Sequence, residues 1–110
     1  MKIEIKDDIV TVTDLPELGE QQAASFQAEV SAALPERPGV IEVDLAQTTI
    51  VDCSGLGALV AVIDHARQRN RDATLRVVDP SPPVRQLLEL TRLHRIFPVV
   101  QRPATPGGPT

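Results

Sequence analysis

Two short runs rich in β-branched residues, Val40-Ile41-Glu42-Val43-Asp44-Leu45 and Thr74-Leu75-Arg76-Val77-Val78, enclose the most strongly helical stretch of the chain, which ends near Asn70. Between the two strands, Leu56, Leu59, Val60, Ile63 and Ala66 recur at three- and four-residue spacing and form an apolar helical stripe. A strand, a helix and a strand at this spacing return as a parallel pair joined by a right-handed crossover. That unit commits the chain to an α/β architecture.

The other segments build outward from it. Lys2-Ile3-Glu4-Ile5-Lys6 alternates, Asp7-Asp8 is a turn signal, and Ile9-Val10-Thr11-Val12-Thr13 resumes with β-branched residues, so the chain opens on a β-hairpin. A helix is expected from about Glu20 to Leu34, burying Ala23, Phe26, Val30 and Ala33 and ended by Pro35 and Pro38-Gly39. Ser81 with Pro82 and Pro83 reads as a further helix start, with Val84, Leu87, Leu88 and Thr91 on the buried face. Val99-Val100 reads as a short edge strand or tail contact. The 110 residues therefore make one small domain over residues 1–101, and residues 102–110, dominated by Pro, Gly and Thr, are expected to form a disordered tail.

The first strand reaches the central helix through Thr49-Ile50-Val51-Asp52-Cys53-Ser54-Gly55-Leu56-Gly57, a strand-to-helix corner carrying polar groups. Its glycines let the backbone turn tightly, while Asp52 and Ser54 are residue types that accept hydrogen bonds from unpaired N–H groups at a helix start. A nucleophile elbow needs glycines two residues either side of the serine, where Asp52 and Leu56 stand. A cysteine phosphatase loop needs Arg at position 59, which is Leu59. A dinucleotide fingerprint is matched in part by Gly55, Gly57 and the later Asp79, but Val60 stands in place of the third glycine. Ser54 then has two readings. It caps the helix, or it is a site where the positive end of the helix tolerates a phosphoryl group.

Charge and composition exclude other classes. The formal net charge of -4 disfavours a nucleic-acid backbone, and with no Trp, no Tyr and only two Phe there is no platform for base stacking, so direct nucleic-acid binding is not expected. A basic peptide or protein fits better. One cysteine allows no internal disulfide, and His65 and His94 stand apart in polar stretches, so neither a metal nor a cofactor is expected. No run of about 18 apolar residues and no leader pattern is present, so the expectation is a cytoplasmic protein without a membrane span.

Ile50-Val51-Asp52-Cys53-Ser54-Gly55-Leu56-Gly57 resembles the signature of STAS domains, whose bacterial anti-sigma-factor antagonists carry an Asp-Ser-Ser-Gly-Leu-Gly-like motif. Leu75 to Thr91 and Leu93 to Phe97 are similar to the second half of that family. The resemblance implies a STAS fold, a small mixed β-sheet beginning with a β-hairpin and with helices packed on it. It implies a non-enzymatic antagonist that sequesters an anti-sigma factor, itself the serine kinase, while Ser54 is unphosphorylated. Ser54 falls on the family's phosphoacceptor and Asp52 on its aspartate, with Cys53 in place of the first serine. Asp52, Cys53, Ser54, Gly55, Leu56 and Gly57 would form the partner-binding run. The alternative is a STAS scaffold or accessory subunit of a stress-signalling or ABC-type lipid-transport assembly, docking without phosphorylation; a weak homodimer is compatible with either. Antagonists usually carry a Gly-x-Leu-Asp-like turn after the second strand, where this chain has Thr13-Asp14-Leu15-Pro16-Glu17-Leu18-Gly19.

Overall fold

The computed structural model describes residues 1–101; the expected tail, residues 102–110, lies outside the described residues. Strands β1 (Lys2–Lys6) and β2 (Ile9–Thr13) form the expected hairpin, turned at Asp7 with φ 56°. They are followed by β3 (Glu17–Leu18), α1 (Glu20–Ala33), β4 (Val40–Asp44), β5 (Ile50–Val51), α2 (Cys53–Arg69), β6 (Thr74–Val78), α3 (Pro82–Leu90), a 3-10 turn (Leu93–Arg95) and β7 (Val99–Val100). The main sheet has the order β1-β2-β4-β6-β7, antiparallel only between β1 and β2.

Register explains where the core lies. Val10 pairs with Ile41 and Ile41 with Leu75, while Val12, Val43, Val77 and Val99 form a second row. Residues two apart on a strand share a face, so both rows point the same way. Phe26 and Val30 of α1, Leu56, Leu59 and Ile63 of α2, and Val84 and Leu88 of α3 join the same buried cluster. Each such side chain contributes about 1.5–3 kcal/mol by leaving water. The opposite face presents Thr11, Thr13, Glu42, Asp44 and Arg76, none fully buried, and Arg76 pairs with Glu42 at 3.6 Å.

A second sheet was not foreseen. Glu17–Leu18 and Ile50–Val51 pair in parallel as a separate two-stranded unit, although in the sequence Thr13 to Gly19 takes the place of a turn and Thr49 to Val51 opens the corner. Two residues are too few to show a β period. Long-range hydrogen bonds hold the pair: Thr48 Oγ1 donates to the Leu15 carbonyl, and Thr49 N–H donates to the Pro16 carbonyl at 2.9 Å. Thr48 is buried, and its hydroxyl is satisfied by that bond. The consequence is positional, because the start of α2 is brought beside the start of α1.

The two helices are tied at their far ends as well. Arg69, in the last turn of α2, donates from Nη1 to the carbonyls of Leu34 and Pro35, both at 3.1 Å. These carbonyls lie just past the end of α1, so a cation meets the negative end of that helix. Arg69 thus lies in the last turn of its own helix and also serves the end of a neighbouring one.

Candidate functional site

The corner at the head of α2 has an outward side, with Cys53, Ser54 and Gly57, and an inward side, with Gly55 and Leu56. Asp52 occupies the N-cap with extended backbone, φ -123° and ψ -174°, and its Oδ1 accepts from the Gly55 N–H at 3.0 Å. Its Oδ2 accepts from the Glu20 N–H, also at 3.0 Å, across 32 residues of sequence. One carboxylate therefore satisfies an unpaired donor at the start of each of two helices. The second bond has a clear local cause. The N-cap of α1 is Gly19, which has no side chain to offer, and Gln22 Oε1 accepts only the Gly19 N–H at 2.9 Å. Asp52 supplies what that cap lacks.

These donors favour the charged form of the carboxylate. The Gly55 N–H has the largest effect and holds the Asp52 carboxyl below its ordinary value; partial desolvation opposes it, and the Glu20 and Ser54 N–H groups add to the lowering.

Gly55 and Leu56 face inward. A Cβ on Gly55 would collide with the backbone carbonyl oxygen of Leu18, so only glycine lets the first turn of α2 lie against β3. Leu56 belongs to the core at 2% exposure. The sequence reading put both on the partner surface; their burial instead gives them the task of seating the corner. Cys53, Ser54 and Gly57 are exposed, Asp52 is half-buried, and a Cβ on Gly57 would meet nothing within 4 Å.

Ser54 is the second residue of α2, and its hydroxyl makes no hydrogen bond among the described residues. The capping role that the sequence offers to Ser54 belongs to Asp52. Ser54 is thus an accessible, uncommitted hydroxyl at the positive end of a 17-residue helix. The structure brings Asp52, Cys53, Ser54 and Gly57 to one accessible corner and adds the exposed Glu20, with the buried Gly19 beside Asp52; the sequence reading includes neither. The cap-poor glycine before a helical run, with Gln at its third position, was the available signal.

Among the described residues no group of three or more His, Cys, Asp or Glu side chains is placed to hold a metal ion, and no helix is long and apolar enough to cross a membrane. The two histidines stay apart, His65 on α2 and His94 in the 3-10 turn.

A parallel sheet entered through a hairpin, with helices on one face and an Asp-x-Ser-Gly corner at the head of the central helix, defines the class. Residues 6–101 match the family described as Mlab, STAS domain, and the chain belongs to the STAS domain family. Among solved structures it is similar to a Thermotoga maritima protein described as a candidate anti-sigma factor antagonist, at 22% identity and TM-score 0.78, covering 94% of this chain and 87% of that one. It is similar to the anti-sigma factor antagonist SpoIIAA in its unphosphorylated form, at 17% identity and TM-score 0.77, covering 94% and 88%. The Bacillus cell fate determinant SpoIIAA in its phosphorylated form aligns at 15% identity and TM-score 0.64, covering 94% and 91%. At these identities the likeness is one of fold, and it agrees with the mixed sheet and packed helices expected from the sequence.

Proposed function

We propose that this STAS domain is an anti-sigma-factor antagonist, a non-enzymatic binding module that docks on an anti-sigma factor through the α2 corner and is released when Ser54 is phosphorylated. The observation that carries the proposal is the division of labour at the corner. Asp52 caps both helices, which leaves the Ser54 hydroxyl exposed and free at the position of the family's phosphoacceptor. A serine engaged in capping would have to be released before it could accept a phosphoryl group. This one needs no rearrangement of the helix start.

The transfer requires a kinase, which the reading identifies with the anti-sigma factor itself. The Ser54 oxygen forms a bond to the γ-phosphorus of ATP, the bond from that phosphorus to the bridging oxygen breaks, ADP leaves, and the hydroxyl proton passes to a base of the kinase. Phosphorylation adds about -1.5 to -2 charge. Against one acidic partner group about 6 Å away, this costs roughly 1 kcal/mol in water and about 5 kcal/mol at an effective dielectric of 20. A factor of ten in affinity is about 1.4 kcal/mol, so one modification weakens docking by roughly fivefold to a few thousandfold. Bulk on an exposed corner adds to the charge effect.

A second reading is favoured by the description of the matched family, which names Mlab and not an antagonist. In it the same corner docks the domain as a subunit of a larger stress-signalling or ABC-type lipid-transport assembly, without phosphorylation. Incubation with ATP and candidate anti-sigma kinases from the same genome, followed by intact-mass measurement, separates the two. The switch reading expects one added phosphate on wild type and none on Ser54→Ala. Docking of a partner at the corner with no phosphate on wild type under any candidate kinase selects the subunit reading.

A further inference from the structure

We infer that the free edge of β1 is a self-association surface that pairs two copies of this chain in antiparallel fashion about Ile5. The main sheet ends at β1 on one side and at the two-residue β7 on the other, so β1 supplies its one long edge among the described residues. Four of the five β1 residues are exposed, and Ile5 is 51% exposed. An open strand edge is a template for another strand unless something blocks it. Among the described residues no proline or bulge interrupts this strand, and the deterrent it carries is charge that proves self-complementary.

The hairpin determines which groups face the edge. Lys6 pairs with Ile9 across the two-residue turn, and in such a hairpin that closing pair is hydrogen-bonded. Bonding then alternates along the strand, so Glu4 and Lys2 bond inward to Thr11 and Thr13, while the backbone groups of Ile3 and Ile5 point outward. Only registers that set odd-numbered residues opposite one another use those outward groups.

Charge chooses among them. Centring on Glu4 sets Glu4 on Glu4 and Lys2 on Lys6, pairs of like charge that are destabilising when directly opposite. Centring on Ile3 sets Lys2 on Glu4, which only exchanges the ion pair those two already make within the strand at 3.1 Å. Centring on Ile5 packs Ile5 on Ile5 and sets Glu4 on Lys6 twice. Lys6 has no ion pair among the described residues, so this register adds interactions that the monomer lacks. It also covers the exposed isoleucine at the two-fold axis, as an isologous contact requires.

Sedimentation velocity over a concentration series tests this, beside three variants of the full chain. Wild type should show a reversible monomer-dimer equilibrium that weakens with salt. Lys6→Glu should weaken the dimer by roughly tenfold to hundredfold, since two attractive pairs become repulsive. Glu4→Lys combined with Lys6→Glu should restore it, because the pairs are re-formed with signs exchanged; the register centred on Ile3 predicts no such rescue. Ile5→Pro should abolish it, because the N–H removed is one that β2 does not use. Should that variant unfold, the two charge variants still decide. A wild type that remains monomeric to its solubility limit overturns the inference, and so does a dimer indifferent to Lys6→Glu.

Discussion

Gly55 and Gly57 lie two residues apart in the first turns of α2, yet they meet opposite surroundings. The inward one rests against the Leu18 carbonyl of β3, and the outward one faces open space. The corner thus has a buried side, made of Gly55, Leu56 and the reach of Asp52 to Glu20, and an accessible side, made of Cys53, Ser54 and Gly57. The sides divide the work. One holds two helices and a small sheet in place, and the other is accessible, the side on which the proposed function has a partner dock.

The comparison breaks most readily at Gly55. Gly55→Ala should destabilise by about 3 kcal/mol, at the upper end of overpacking penalties, because the added methyl meets backbone that cannot swing aside as a side chain can. Urea denaturation of the variant beside wild type measures this. An unchanged midpoint would mean that α2 does not lie against β3 as described.

Asp52 comes next, since its charge serves both helix starts. Asp52→Asn should lower the melting temperature, and in hydrogen exchange the Glu20 and Gly55 amides should lose protection together, because each bonds one oxygen of the same carboxylate. The acid side gives a second readout. Native contacts hold the Asp52 carboxyl below its ordinary value, so its stabilisation is fully present above the unfolded-state pKa of about 3.9 and is lost as pH falls through the lower folded-state value. Thermal melts from about pH 7 to about pH 2 should show wild type and Asp52→Asn converging at the acid end. Loss of protection at Gly55 alone would reduce Asp52 to a cap of its own helix.

Gly57 should respond with the opposite sign to Gly55. Gly57→Ala fills no occupied space in an exposed helical position, so it should stabilise by about 0.5–1 kcal/mol through helix propensity. Under the proposed function the same methyl stands on the docking surface, and calorimetric titration with the anti-sigma partner should show weaker binding by a more stable protein. Stability and affinity moving in the same direction would remove Gly57 from that surface.

How far the corner can be read from sequence follows from how local each interaction is. The strand-helix-strand unit, the hairpin and the span of α1 were legible because periodicity and turn residues are properties of neighbouring positions. The corner was legible as polar and glycine-bearing for the same reason. The β3–β5 pair was not, since two-residue strands carry no period and their partners lie 33 positions apart. Nor was the bond from Asp52 to Glu20, which depends on that pairing. The inward turn of Gly55 and Leu56 likewise depends on where β3 lies, so treating the whole run as partner surface assigned exposure to residues that seat the helix.

Ser54 should show the smallest change in stability and the largest in partner binding. As a cap it would cost about 1 kcal/mol on substitution by alanine. Asp52 holds that place, and the exposed Ser54 hydroxyl bonds to no described residue, so Ser54→Ala should stay within about 0.5 kcal/mol of wild type. Ser54→Asp should also remain folded, because the positive helix end favours a carboxylate, although Asp52 two residues earlier limits the gain by repulsion. Under the proposed switch, Ser54→Ala binds the partner without regulation and Ser54→Asp binds more weakly, one carboxylate being an imperfect substitute for a phosphate. Melting curves and calorimetric titrations on the three proteins read both quantities. A cost near 1 kcal/mol for Ser54→Ala would return the serine to the buried side of the comparison, as a cap. Equal affinities for all three, with no phosphate taken up by wild type, would leave the corner a docking surface without a switch.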